Sequence, residues 1–269
     1  MNFVDDKISA DYYDALPGFS KEAIDFFYSE KIGITKDSII ADVGAGTGRI
    51  CISFLQRGNK VIAIEPDAKM RDICDAKCKE FNNYISVDGT DAKMNIADKS
   101  VDYVIASQVY HRFDEKKFQD ECNRVLKNSK NVLIVWYRVD YENPLYADML
   151  KSVKSCYKKY ETRYNTNEVE GSKQEWQENN ESAISFFKGN CKMEEVQSNI
   201  YFTKDEFLKL GFSLSLFPIT HEMNTVSKVL ESSDFDTKKY HKELNAIFDK
   251  YSINKKIKLC FKIQIHHGF

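Results

Sequence analysis

The sequence predicts an α/β protein built on an open, mostly parallel sheet. Three observations carry this. Between residues 38 and 137, short β-rich apolar runs alternate with helical stretches. A glycine-rich turn stands where the first of these strands meets the next helix. The 269 residues are 42% hydrophobic with a formal net charge of −2, the composition of a folded chain long enough to bury its own core.

In chain order, an aromatic segment, Asp11-Tyr12-Tyr13-Asp14-Ala15-Leu16-Pro17-Gly18-Phe19, precedes a helix expected from about Lys21 to Glu30. Strands follow at 38–43, 61–64, 84–87, 101–106 and 132–137, as near-continuous apolar runs. Such runs suit parallel strands covered on both faces. Between them lie helices from Arg49 to Arg57, from Lys69 to Phe81 and from about Glu115 to Leu126, the first ended by Gly58. Strand, helix, strand at this spacing implies right-handed crossovers. Residues 141–200 are charged, tyrosine-containing and mostly helical in propensity, with no strand of comparable strength; 161–182 reads as a loop or a helix. Thr203 and Glu206 form a capping-box pattern before Phe207 and Leu208. A helix near 237–251 and a strand near 256–266 close the chain. The expected organisation is a ligand-binding core with its N-terminal cover over 1–140, a mainly helical lid over 141–235 that defines the substrate, and a C-terminal helix and strand over 236–269 that complete the core sheet.

Composition removes several function classes. A pI near 6.3 argues against a phosphate-backbone binder, which needs clustered positive charge. No apolar run approaches the roughly 18 residues of a membrane span, and the N-terminus shows no secretory leader, so a cytoplasmic protein without a nucleic-acid or membrane partner is expected. The seven cysteines are odd in number and scattered, which suits reduced thiols. Cys74 and Cys78 lie four apart on a helix, without the further ligands a structural zinc wants. His266-His267 reads as a solvated tail rather than a metal site, and no metal is expected.

The chemistry concentrates in Asp42-Val43-Gly44-Ala45-Gly46-Thr47-Gly48-Arg49. Glycines let the backbone turn tightly there, and in a doubly wound sheet this strand end is where ligands bind. Glu65, 21 residues after Gly44, ends the second strand. A carboxylate at that place accepts hydrogen bonds from both hydroxyls of a ribose. That suits either NAD or an adenosyl cofactor. The spacing is G-x-G-x-G followed by Arg49, whereas a dinucleotide fingerprint wants its third glycine at 49. A second polar turn, Asp88-Gly89-Thr90-Asp91-Ala92, follows the third strand, where an adenine edge could be read.

These residues resemble the class I S-adenosylmethionine-dependent methyltransferases over roughly 11–140. Asp42 to Gly48 is similar to their first motif, Val61 to Asp67 to their second, and Gly89 to Ala92 with Ala97 to Asp102 to their adenine-side loop and fourth strand. Ala106-Ser107-Gln108-Val109-Tyr110-His111-Arg112-Phe113-Asp114 is similar to a stretch of the small-molecule enzymes related to trans-aconitate methyltransferase. The resemblance implies a Rossmann-like seven-stranded sheet of order 3-2-1-4-5-7-6 with the last strand antiparallel. It also implies S-adenosylmethionine as cofactor. Gly44, Ala45, Gly46, Thr47 and Gly48 would then pass under its methionine part. Asp42 would orient the amino group and Glu65 hold the ribose, with Pro66 and Asp67 at the adenine edge and Thr90, Asp91 and Ala92 addressing the base. Ser107 and Gln108 would lie by the methionine carboxylate and sulfonium, and Tyr12 would belong to the cover. Leu16 and Phe19 replace an arginine and a tyrosine of that cover, and Arg112 a tryptophan near the substrate. His111 is the candidate general base, since it follows the fourth strand and an imidazole titrates near neutrality; the alternative is that it only packs within its helix start. The expected activity is methyl transfer to an oxygen, nitrogen or carbon of a small-molecule substrate, by a monomer or homodimer. An NAD-dependent oxidoreductase and a non-catalytic cofactor-binding protein are the competing expectations.

Overall fold

The computed structural model describes residues 17–140, 142–157, 168–211 and 233–268, and the side chains of all but 168–176 among them. Tyr12 and the rest of its cover segment to Leu16 lie outside the described residues.

Helix α1 (Lys21–Phe27) starts at Ser20, whose hydroxyl accepts from the Ala23 N–H at 3.3 Å, the usual N-cap bond. It buries Ala23, Ile24 and Phe27. Strand β1 (Ile39–Val43) then enters the middle of the sheet, between β2 (Lys60–Ile64) and β4 (Tyr103–Ser107), parallel to both. Strand β3 (Tyr84–Val87) pairs parallel with β2, and β5 (Val132–Val139) parallel with β4. Helices α2 (Arg49–Leu55), α3 (Ala68–Cys78) and α4 (Glu115–Val125) are the crossovers, and each presents an apolar face: Ile50, Cys51, Phe54 and Leu55 on α2, Phe118, Cys122 and Val125 on α4. Beyond β5 come α5 (Pro144–Cys156), α6 (Glu168–Phe186), β6 (Lys192–Phe202), α7 (Thr237–Tyr251) and β7 (Ile257–His267). The seven strands form one mixed sheet in the order β3-β2-β1-β4-β5-β7-β6, the order that the family resemblance implies.

Two expectations are corrected. Strand β6 falls in a stretch read as lacking one. Its burial runs exposed, exposed, intermediate, exposed, intermediate, exposed from Lys192, so it is an edge strand with a wet face and no apolar run to announce it. His266 and His267 are no solvated tail, since both lie in β7 and His266 has no exposed surface. The capping box is present: Glu206 Oε2 accepts from both the backbone N–H and the hydroxyl of Thr203 at 2.8 Å, at the head of helical residues 204–211.

The chain divides into two compact units. One holds 18–138, 178–198 and 262–269, and with them the crossover helices and the glycine loop. The other holds, among the described residues, 17, 139–140, 142–157, 168–177, 199–211 and 233–261. Within it α5, capped by Asn143 and opened by Pro144, packs against α7. Tyr240 on α7 donates its hydroxyl to the Gly211 carbonyl at 3.0 Å, and Phe207 meets Phe248 at 5.9 Å between ring centres. Among the described residues, no helix is long and apolar enough to cross a membrane.

Candidate cofactor site

The site forms because β1 and β2 end level. Val43 faces Ile64 in register, so the turn after β1 and the first residue beyond β2 lie side by side. Gly44 and Ala45 donate their N–H groups to the Ile64 carbonyl at 2.8 and 3.2 Å, and Gly46 donates to Glu65 Oε2 at 2.8 Å. All three glycines adopt left-handed backbone, with φ of 72° at Gly44, 57° at Gly46 and 79° at Gly48, a region costly for any residue with a Cβ. At two of them packing adds a second reason. A Cβ on Gly44 would stand 2.8 Å from Val109 Cγ2, and one on Gly48 2.6 Å from Cys74 Sγ. Ala45 and Thr47 are buried in the turn, and Gly48 becomes the N-cap of α2.

Asp42 sits beneath this turn at 1% exposure. Its Oδ2 accepts from the Cys51 thiol at 3.0 Å, while Oδ1 is buried with no hydrogen-bond partner. Burial pushes the carboxyl up to about 7, the charge of Glu65 adding to it and the Cys51 thiol opposing. An unfolded aspartate titrates near 3.9, so the folded state holds this proton more tightly. The resulting stability is present below about pH 4 and is lost as pH rises through 7. Asp42→Asn, neutral throughout, is therefore expected to gain stability relative to the parent between about pH 4 and 8 in denaturant titrations; a constant difference would show that the carboxyl titrates normally.

Glu65 is 7% exposed. Besides Gly46, its carboxylate accepts from the Asp67 N–H at 3.0 Å through Oε1, which leaves each oxygen a further lone pair. Burial raises its pKa, while the two backbone donors oppose that. Pro66 is exposed beside it, and Asp67 is committed as N-cap of α3, accepting from Lys69 and Met70. After β3, Thr90 ties its own turn by accepting from the Lys93 N–H at 3.1 Å, and Asp91 Oδ2 accepts from the Asp114 N–H at 2.9 Å. Ala92 is exposed. The turn after β3 is thus joined to the start of α4.

Ser107 ends β4, half-buried. Gln108 follows in left-handed backbone, φ 61°. Its side-chain amide donates to the Tyr137 carbonyl and accepts from the Tyr137 N–H at 2.9 Å, extending the β4–β5 ladder by a side chain. Tyr110 is packed rather than open, with rings of Phe113, Phe118 and Phe186 about it. His111 lies against Trp136, ring centres 5.7 Å apart, and its Nε2 accepts from Arg112 Nε at 3.1 Å. Crowding by these neighbours and the Arg112 charge push the imidazole down to about 4, although its outer face meets solvent. It is neutral at pH 7, but a weak base.

The glycine loop and Glu65 are joined by a direct hydrogen bond, Asp42 is held by Cys51 of the helix that the loop opens, and Val109 packs at Gly44. Thr90 and Asp91 follow β3, which pairs with β2, while Ser107 ends and Gln108 and His111 follow β4, which pairs with β1. Sequence reasoning passed over Trp136 and Tyr137, which hold His111 and Gln108. Their signal was present: a Trp-Tyr-Arg end to an otherwise aliphatic strand.

A methyltransferase domain family matches residues 41–134. An uncharacterised methyltransferase of Mycobacterium tuberculosis is 29% identical over 125 residues, covering 46% of this chain and 48% of its own length. The chain thus spans about half the length of that relative. An uncharacterised methyltransferase-like protein of Schizosaccharomyces pombe is 26% identical over 259 residues, 94% of this chain and 90% of its own. Among solved structures, a chain proposed to be a type II methyltransferase of Anaeromyxobacter dehalogenans superposes with a TM-score of 0.58 at 16% identity, covering 93% of this chain and 95% of that one. At that identity the likeness shows the fold.

Proposed function

We propose a methyl-transfer function from one premise: residues 41–134 belong to the class I S-adenosylmethionine-dependent methyltransferases. The acceptor in this reading is an oxygen, nitrogen or carbon of a small metabolite, and residues 141–235 define which one. The observation that carries it is the Gly46 N–H bond to Glu65, which fixes a ribose-binding carboxylate against a left-handed glycine turn. The unpartnered Asp42 Oδ1 fits the same cofactor, since a buried acceptor without a donor is costly and an ammonium group would satisfy it, directly or through water. The N–H groups of Gly44, Ala45 and Gly46 all face protein acceptors. A loop that grips a pyrophosphate uses such groups on its ligand, so this one favours an adenosyl cofactor over NAD.

S-adenosylmethionine supplies a methyl group already activated on a sulfonium. The chain's own task is then alignment and exclusion of water. Glu65 holds the ribose hydroxyls, Asp42 orients the amino group, and Pro66, Thr90, Asp91 and Ala92 border the adenine. Ser107 is the polar group left to the methionine end. Gln108 positions the turn there, since its amide is spent on Tyr137. His111 walls the acceptor side. Its Nε2 lone pair is engaged by Arg112, so it is not placed to take the acceptor's proton. The test is incubation of the chain with S-adenosylmethionine and a metabolite extract: S-adenosylhomocysteine should appear together with a metabolite heavier by one methylene. Cofactor binding without any methylated product would favour a non-catalytic binding protein.

A further inference from the structure

Cys191, His266 and Asn180 form a chain of contacts away from the glycine loop. Cys191 Sγ lies 3.6 Å from His266 Nδ1, and His266 Nε2 lies 3.0 Å from Asn180 Oδ1. An amide oxygen only accepts, so the ring proton sits on Nε2 and the Nδ1 lone pair faces the thiol. Three separate elements build this: Asn180 comes from α6, Cys191 immediately precedes β6, and His266 is near the end of β7. His266 is fully buried. Burial and the neighbouring His267 hold its pKa near 4, so the ring is neutral and its lone pair available at pH 7. Burial keeps the Cys191 thiol above its ordinary value, so the resting pair is a thiol beside a neutral imidazole. The sulfur is also 3.6 Å from the Lys192 carbonyl, which cannot take the proton, and it accepts from the backbone N–H of His267, which would support a thiolate. A nucleophile, an imidazole and an orienting side chain in this sequence of contacts recur on unrelated folds.

We propose that Cys191 is a nucleophilic modification site for hydroperoxides, with His266 as proton acceptor and Asn180 as the residue that positions it. Cys191 as a residue is only partly buried, and a small uncharged reagent is the class such a position would take. In the step the sulfur attacks one peroxide oxygen; an S–O bond forms and the O–O bond breaks. As the O–O bond breaks, the thiol proton is relayed through Nδ1 to the departing oxygen in the same step, so no imidazolium accumulates and the oxygen leaves as water from hydrogen peroxide. Sulfur is oxidised to the sulfenic acid and the peroxide is reduced by the same two electrons.

The full chain supplies its own control. Cys260 is the other half-buried cysteine, its thiol directed at the Phe261 carbonyl, and the remaining five are buried. Treatment with hydrogen peroxide, trapping with dimedone and mass spectrometry at each cysteine gives the rates. Cys191 should be labelled at least about tenfold faster than Cys260, a threshold set below the roughly 100-fold that general-base assistance typically supplies. His266→Gln should bring Cys191 down to the Cys260 rate. Asn180→Ala should slow it, and Asn180→Asp, which keeps the acceptor oxygen, should restore it. Equal labelling of Cys191 and Cys260, or a Cys191 rate untouched by His266→Gln, would overturn the proposal. If His266→Gln does not fold, an unchanged rate in Asn180→Ala, a half-buried helix position, would overturn it alone.

Discussion

Glu65→Ala should bind S-adenosylhomocysteine at least about 100-fold more weakly than the parent chain. Removing the carboxylate leaves two ribose hydroxyls without acceptors, and each hydrogen bond to a charged group is worth about 1.5–3 kcal/mol. The loss also reaches the protein, because the N–H groups of Gly46 and Asp67 lose their shared acceptor. These effects act on the same turn, so the weakening should exceed what the ribose contacts supply alone. Glu65→Gln should be weakened as well, since its NH2 group would point at a backbone N–H. Calorimetric titration reads both. An alanine variant that binds as tightly as the parent would remove Glu65 from the site.

Gly48→Ala should destabilise the fold by about 2–5 kcal/mol, from left-handed strain of about 1–2 kcal/mol and overpacking of about 1–3 kcal/mol. The φ of 79° supplies the first, and a Cβ 2.6 Å from Cys74 Sγ supplies the second. The two parts separate experimentally. Cys74→Ala removes the sulfur the new methyl would strike, so the double variant should be more stable than the two single losses predict, by roughly the overpacking share. Denaturant midpoints of the four proteins give this coupling. Additivity within about 0.5 kcal/mol would assign the whole effect to backbone strain.

Gly48 also shows what a sequence can and cannot tell. Three glycines after a buried strand announce a tight turn, and Glu65 at the end of the next strand announces its partner. Both follow from strand periodicity, which fixes where β1 and β2 end. The parallel sheet is legible for the same reason, through crossovers of uniform hand, whereas its strand order comes from the family resemblance. The sulfur of Cys74 under Gly48 is not legible, because it arrives from another helix. Gln108 reads as a polar ligand at a strand end, yet its amide completes a ladder with Tyr137, an exchange of side chain for backbone that composition does not signal. His111 reads as a base of ordinary strength until Trp136 and Arg112 are placed around it. Strand β6 is hidden because an edge strand needs only one dry face, and Lys192, Glu194, Glu195 and Gln197 fill the rest of its pattern. His266 is hidden because Asn180 and Cys191, its partners, lie 86 and 75 residues away.

The most direct single measurement is calorimetric titration of the purified chain, in parallel, with S-adenosylmethionine, S-adenosylhomocysteine and NADH. Heat from the first two and none from NADH is the expected result, because the loop amides are already turned inward and position 49 is an arginine. Heat from NADH alone would contradict the methyltransferase assignment and point to hydride chemistry.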